Sequence, residues 1–94
     1  MSKSIMQKEK QCFFCRRTND LDKHHCIHGT ANRKLADKDG LWVWLCKDCH
    51  TMSSMAVHNN AKQDLVLKIQ AQMTWEEVYG NRQEFIRRYG KSYI

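Results

Sequence analysis

Two Cys-x-x-Cys pairs constrain this chain more than any other feature of its sequence. Cys12 and Cys15 form the first pair, Cys46 and Cys49 form the second, and 30 residues lie between the pairs. Two such pairs are typical of a tetrahedral four-thiolate zinc site, which would join segments far apart in the chain. Two unrelated pairs of thiols and a redox couple are the alternatives. A site of four cysteines leaves no coordination position open, so we expect its role to be structural.

A structural metal matters here because the chain is short. With 94 residues the sequence predicts a single domain, residues 1–94, and a domain of this size buries only a thin hydrophobic core. No apolar signal-peptide core opens the sequence, and no apolar run approaches the roughly 20 residues that a membrane helix requires. We therefore expect a cytoplasmic protein with no membrane partner, in a compartment where thiols remain reduced.

The charge of the chain favours a polyanionic partner. The net charge is +6, and nucleic acid is the default candidate for a small basic protein. Residues 1–10 are predicted to form a mobile basic arm. Residues 26–40 lack a clean period and are predicted to form a long loop with one helical turn near residues 31–37. That loop carries the side chains that we select as nucleic-acid contacts, Arg33, Lys34 and Lys38.

The middle of the chain is predicted to contain two strands. Residues 21–25 form a short polar strand, and residues 41–45 form an uninterrupted apolar run that fits a buried strand. A short helix is predicted from about residue 47 to residue 55. Together with the first cysteine pair, these elements make residues 12–58 a small zinc-stapled core.

The C-terminal part of the chain is predicted to be helical, within residues 61–90. Apolar residues recur at close to helical spacing over residues 61–79. Asn81 and Glu84 then form an Asn-x-x-Glu pattern, which predicts a capped helix that Gly90 ends. The predicted fold class is therefore α+β, a zinc-stapled core with two additional C-terminal helices.

The histidines form a second unusual group. All five lie between residues 24 and 58, and a four-thiolate site does not account for them. His24 and His25 stand in tandem at the end of the first predicted strand, and His50 follows the last cysteine directly. Imidazole binds divalent metals and changes its protonation state near neutral pH. Together, the histidines predict a second, open metal site with a general base.

Residues 12–58 resemble a known family of enzymes. They are similar to the HNH nucleases, also called ββα-metal or His-Me finger enzymes, and particularly to small phage and prophage members with two Cys-x-x-Cys pairs. The C-terminal helices are similar to those of small phage-type relatives, with less specific motifs. If the chain is phage-encoded, the resemblance implies the host cytoplasm as its location. The motifs that carry the resemblance are Cys12-x-x-Cys15, His24-His25 and Leu45-Cys46-x-x-Cys49-His50.

The resemblance implies a role for each matching histidine. His24 would be a metal ligand, His25 the general base that takes a proton from water, and His50 the second ligand. His58 is a candidate third ligand, although its spacing from His50 exceeds one helical turn. The cofactors implied are a structural Zn2+ and a catalytic divalent ion, which is Mg2+, Mn2+, Ni2+ or Zn2+. The activity implied is hydrolysis of phosphodiester bonds in DNA, by nicking or double-strand cleavage.

The sequence departs from the family at one position. HNH nucleases carry a middle asparagine a few residues before the second cysteine pair, but residues 40–45 contain none. Asn32 is a candidate replacement. His28 has no assigned role and either contacts phosphate or faces solvent. Cys26 is expected to be a small buried residue.

Other functions and assembly states remain open at this stage. A non-catalytic zinc-knuckle module that binds nucleic acid is the main alternative to a nuclease. A protein-interaction adaptor that uses the C-terminal helices is a second, for which Tyr89 and Tyr93 are the only indications. A nuclease of this size is compatible with a monomer or a homodimer, acting alone or with a partner protein.

Overall fold

The sheet consists of two antiparallel strands, β1 (Leu21–His25) and β2 (Trp42–Cys46), in a computed structural model that describes residues 3–94. In its register, His24 pairs with Val43 and His25 with Trp42. The prediction of two strands is confirmed, although β2 begins and ends one residue later than expected. The molecule is α+β, as the sequence predicted.

The two faces of β2 differ as the alternation of its residues predicts. Val43 and Leu45 are fully buried and belong to the hydrophobic core. Trp42 and Trp44 lie on the other face, where their ring centroids are 5.3 Å apart in an edge-to-face arrangement. Trp42 is itself buried, so it contributes to the packing of the sheet and is not an exposed stacking surface.

A ten-residue helix, α1 (Thr30–Asp39), connects the two strands. The prediction of a long loop with one helical turn is therefore wrong for this segment. The helix ends at Gly40, which adopts the left-handed conformation with φ of 80° and donates its N–H to the carbonyl of Ala36. Only glycine fits there, because a Cβ atom on Gly40 would collide with the backbone oxygen of Lys3.

The carboxylate of Asp39 ties the end of α1 to the C-terminal helices, α2 (Ala61–Val78) and α3 (Arg82–Tyr89). Its Oδ2 atom accepts hydrogen bonds from Trp75 Nε1 at 2.9 Å, Arg88 Nε at 2.6 Å and the Tyr89 hydroxyl at 2.7 Å. Asp39 is 7% exposed, so this network is shielded from solvent. A buried carboxylate with this many donors fixes the relative positions of the helices that supply them.

The two C-terminal helices were predicted correctly. Asn81 Oδ1 accepts a hydrogen bond from the Glu84 backbone at 2.9 Å, and Glu84 Oε1 accepts one from the Asn81 backbone at 3.1 Å, which completes the predicted capping box. Gly90 ends α3 with φ of 95°. Over residues 3–94, no helix is both long and apolar enough to cross a bilayer.

Residues 4–7, predicted as part of a mobile basic arm, are partly buried and pack against the sheet and the core. Gln7 Oε1 accepts a hydrogen bond from the Trp44 backbone at 2.6 Å, and Ile5 and Met6 pack against the core. The prediction of a mobile segment is therefore wrong for residues 4–7, whereas Lys3 and residues 8–10 are exposed. Residues 1 and 2 of the predicted arm lie outside the described part of the chain.

Candidate functional site

The four cysteines of the two Cys-x-x-Cys pairs come together as the cysteine cluster. One sulfur from each residue lies within 4.8 Å of the others, and the sulfurs of Cys15 and Cys46 are 3.5 Å apart. Tetrahedral zinc with Zn–S distances of about 2.3 Å requires sulfur–sulfur separations of about 3.8 Å. The cluster can therefore hold a metal ion, as predicted. Its members are Cys12, Cys15, Cys46 and Cys49.

The local backbone favours a thiolate at Cys12. Burial disfavours the charged sulfur, but backbone N–H groups of Cys46, Cys15 and Phe14 outweigh that effect and lower the pKa of Cys12 to about 6. At Cys49, burial and then the hydrogen-bonded sulfurs of Cys12 and Cys46 raise the pKa instead. Four neighbouring thiols do not all ionise readily, because the resulting thiolates would repel one another. A bound cation would offset that repulsion.

The histidine cluster consists of His24, His50 and His58. One ring nitrogen from each lies within 4.8 Å of the others, and the Nε2 atoms of His50 and His58 are 2.9 Å apart. The ring of His24 lies 5.3 Å from that of His50 and 5.4 Å from that of His58. All three residues predicted to bind the second metal are therefore brought together.

The local backbone explains how His58 reaches His50 across a long spacing. Residues Asp48–Met52 form a single π-helical turn, which occupies part of the segment predicted as a short helix. The chain then reverses, and the His58 backbone N–H donates to the carbonyl of His50 at 3.3 Å. The two imidazoles are therefore neighbours because the chain folds back between them.

His24 is the central and most buried member of the histidine cluster. It is 4% exposed, and its Nε2 atom has no hydrogen-bond partner within residues 3–94. Burial, followed by the charges of His50 and His28, lowers the pKa of His24 to about 3, so the ring is neutral at physiological pH. An unpartnered buried nitrogen costs about 1–3 kcal/mol, and a bound cation would supply the missing partner.

A carboxylate on β1 orients His50. Asp22 Oδ2 lies 3.0 Å from His50 Nδ1, and Asp22 Oδ1 accepts a hydrogen bond from Lys47 Nζ at 2.6 Å. Hydrogen bonds from Lys47 and then His50 hold the pKa of Asp22 below its usual range. An ionised Asp22 can only accept, so it places the proton of His50 on Nδ1 and leaves Nε2 available to a metal.

His28 lies on the other side of His24, where it contacts a carboxylate of α2. Its Nε2 atom is 2.7 Å from Asp64 Oδ1, and its ring lies 5.5 Å from that of His24. His24, His28 and Asp64 form a second set of donor atoms within 4.8 Å of one another. His28 is therefore exposed, as one of its two predicted roles requires, but its ring also forms a hydrogen bond with Asp64.

The predicted base, His25, contacts a carboxylate of α1. His25 Nε2 lies 3.0 Å from Asp37 Oδ1, which also accepts a hydrogen bond from Lys23 Nζ at 2.6 Å. Hydrogen bonds from Lys23 and then His25 lower the pKa of Asp37 to about 2. His25 also borders a cavity of about 240 Å3, whose lining includes all three residues of the histidine cluster.

The three predicted nucleic-acid contacts lie together on α1. Arg33, Lys34 and Lys38 are exposed and line a groove of about 960 Å3. Lys23 and His25 line both this groove and the smaller cavity. The basic groove therefore adjoins the histidine cluster directly.

Three carboxylates of the site were not predicted from the sequence. Asp22 had a usable signal, because residues i and i+2 of a strand share a face and Asp22 precedes His24 by two. Asp37 and Asp64 had none, since their contacts join different elements of the fold. Asn32, the candidate replacement for the family's asparagine, donates instead to the carbonyl of Tyr89 at 3.0 Å.

Comparison of the chain with models of protein families, with curated proteins and with solved structures finds no match. The function must therefore be inferred from the residues of the two clusters and of the groove beside them. A function that fits must account for a closed set of thiols, an open set of imidazoles and a basic surface.

Proposed function

We propose that the protein is a metal-dependent endonuclease that hydrolyses phosphodiester bonds in DNA, and that it belongs to the HNH family that residues 12–58 resemble. One observation carries the proposal. The Nε2 atom of the buried His24 has no partner over residues 3–94, and the His24 side chain lies beside His50 and His58 in a cavity that His25 also lines. A module that only bound nucleic acid would not need a buried imidazole in this state.

The histidine cluster suits a divalent ion with positions left for other ligands. His24 is neutral, and Asp22 keeps the lone pair of His50 on Nε2, where a metal would replace the present contact with His58. A metal ion bound there would neutralise the charge that develops on the phosphate oxygens. Imidazole ligands suit Ni2+ and Zn2+, whereas the nearby carboxylate of Asp64 would suit Mg2+ or Mn2+.

In this proposal, His25 is the general base. It borders the cavity of the histidine cluster, where it would take a proton from water beside the bound phosphate. The cationic side chains of the groove hold the sugar–phosphate backbone, and contacts of that kind carry no sequence information. We therefore expect weak sequence preference. The groove residues proposed to contact phosphate are Arg33, Lys34 and Lys38.

Nicking of a supercoiled plasmid tests the proposal. The zinc-loaded protein is assayed with added Mg2+, Mn2+ or Ni2+, beside His25→Ala and a matched control, Glu77→Gln, which alters an exposed side chain of α2. We expect His25→Ala to slow cleavage by about 10²- to 10⁴-fold while zinc content and folding persist. Glu77→Gln should cleave like wild type. Parallel purification excludes a contaminating nuclease, which would cleave in all preparations.

Three results would contradict the proposal in different ways. Salt-dependent DNA binding without cleavage, whichever metal is added, would indicate the non-catalytic binding module. Cleavage that is unchanged in His25→Ala would leave a nuclease but remove His25 as its base. Absent or salt-insensitive DNA binding would favour the adaptor.

A further inference from the structure

We propose that Asp37 of α1 is the positioning residue for His25, taking the supporting role that the middle asparagine has in HNH nucleases. This inference rests on the proposed role of His25 as a base. It assigns a function to a carboxylate on a helix and explains how the site works without an asparagine in residues 40–45.

The contact between the two side chains is well placed to fix the His25 ring. The His25 side chain is 14% exposed, the Asp37 side chain is 31% exposed, and Nε2 and Oδ1 are 3.0 Å apart. The backbone of His25 is held in the sheet by its pairing with Trp42, and α1 fixes Asp37. With both backbones constrained, the hydrogen bond determines how the imidazole is rotated.

The hydrogen bond also determines which ring nitrogen can act as the base. An ionised carboxylate has no proton to donate, so His25 Nε2 must carry the hydrogen that Asp37 accepts. The neutral ring then has its lone pair on Nδ1. A water molecule gives its proton to Nδ1 as its oxygen bonds to phosphorus, and the bond from phosphorus to the leaving oxygen breaks. Solvent supplies the proton for the leaving oxygen.

Lys23 keeps Asp37 in the form that this role requires. Its Nζ atom lies 2.6 Å from Oδ1, the same oxygen that His25 contacts. Lys23 and His25 are two residues apart in β1 and therefore lie on the same face of the strand. The positive charge of Lys23 stabilises the carboxylate, so Asp37 does not remove the proton of His25 but stabilises the imidazolium that forms.

The other amide and carboxylate side chains of α1, those of Asn32 and Asp39, are engaged elsewhere. Asn32 donates to the carbonyl of Tyr89, and Asp39 accepts hydrogen bonds from Trp75 and Arg88. Asp37 is therefore distinguished from its helical neighbours by its contact with the sheet.

The tautomer of His25 gives a direct test that does not depend on activity. Long-range 1H–15N correlation spectra of the zinc-loaded, 15N-labelled protein at pH 8 distinguish the Nε2–H form from the Nδ1–H form. The His25 signals are assigned by their absence from His25→Ala. We expect the Nε2–H form in wild type. In Asp37→Asn, the amide can donate to Nε2, so the Nδ1–H form should become populated.

Kinetics test whether this orientation serves catalysis. Asp37→Asn should lower kcat by on the order of 100-fold without raising the KM for DNA. Asp37→Glu retains a carboxylate and should recover at least about tenfold of that loss. The matched charge-removing control, Glu77→Gln, should behave like wild type in both measurements.

The outcomes separate this inference from the proposed function. If wild type does not cleave DNA but the tautomer shifts in Asp37→Asn, the function is wrong while the orienting contact stands. An unchanged Nε2–H tautomer in Asp37→Asn would overturn the inference even if cleavage were confirmed. Equal loss of kcat in Asp37→Asn and Asp37→Glu, without a tautomer change, would assign Asp37 a purely structural role.

Discussion

The cysteine cluster and the histidine cluster meet at Cys49 and His50, yet they are built in opposite ways. The cysteine cluster has four donors, so a metal there would have no coordination position left for another ligand. The histidine cluster has three donors and lies beside a cavity that also meets the basic groove. The difference indicates that four ligands make a scaffold, whereas three ligands next to open space can support chemistry.

The histidine cluster depends on the cysteine cluster for its position, but the reverse does not hold. Cys49 and His50 share a π-helical turn, and β2 carries Cys46 at its end, so the cysteine cluster fixes the backbone from which His50 projects. Loss of a cysteine should therefore disrupt both clusters. Loss of a histidine should disrupt only the open one.

The largest effect is expected for Cys46→Ser. Cys46 is fully buried at the end of β2, and a structural zinc site contributes about 10–16 kcal/mol, comparable to the total stability of a small domain. We expect loss of bound zinc and of cooperative unfolding, measured by metal analysis and by thermal denaturation followed by circular dichroism. The control is Cys26→Ala, which alters another buried cysteine outside the cluster and should retain zinc. A folded, zinc-containing Cys46→Ser would contradict the scaffold role.

A smaller effect on the open site alone is expected for Asp22→Asn. The variant weakens the acceptor that places the proton of His50 on Nδ1, and loss of such supporting carboxylates typically weakens metal binding by about 10- to 100-fold. The affinity of the zinc-loaded protein for Ni2+, measured by calorimetry, should fall by that factor while the zinc content stays constant. Unchanged Ni2+ affinity would show that Asp22 serves only its ion pair with Lys47.

The variant His24→Leu is expected to be more stable than wild type, unlike the variants above. Leucine removes the unpartnered Nε2 atom from a site that is 4% exposed, and replacing an unsatisfied buried polar group with an apolar one stabilises by about 1–2 kcal/mol. Denaturant unfolding, with zinc in the cysteine cluster and no second metal, should show this gain. Binding of a second metal should be lost. A destabilised variant would indicate that His24 already has a satisfied structural role.

The smallest effect is expected in the groove, for Arg33→Ala. Arg33 is exposed on α1, and a phosphate contact of this kind raises affinity without reading sequence. DNA affinity should fall a few-fold, and the slope of log affinity against log salt should decrease by about one. Arg87→Ala, on the exposed side of α3, is the matched control and should leave the slope unchanged. Equal effects of the two substitutions would mean that binding is not confined to the groove.

The cysteine cluster and the histidine cluster also differ in how far they could be predicted from the sequence. The cysteine cluster was predictable because each Cys-x-x-Cys pair is a local pattern with one common use. The histidine ligands required the resemblance as well. Asp37 and Asp64 were missed because their partners are distant in sequence, at separations of 12 and 36 residues. No local pattern carries such contacts.

Helix α1 was missed for a related reason. Its sequence offers little apolar periodicity, and polar side chains occupy most of its positions. The helix is held by contacts that arise only in the folded chain, such as the network of Asp39 with residues of α2 and α3. In contrast, α3 carries its own start and end signals in Asn81, Glu84 and Gly90, and it was predicted closely.

The most direct test of the central claim is a titration of the zinc-loaded protein with Ni2+, beside the same titration of His50→Ala. If the two clusters have separate roles, wild type binds one further ion, and His50→Ala loses that ion while it keeps its zinc and its fold. A wild-type protein that binds no ion beyond the zinc in the cysteine cluster would contradict the account. So would a His50→Ala variant that loses its zinc.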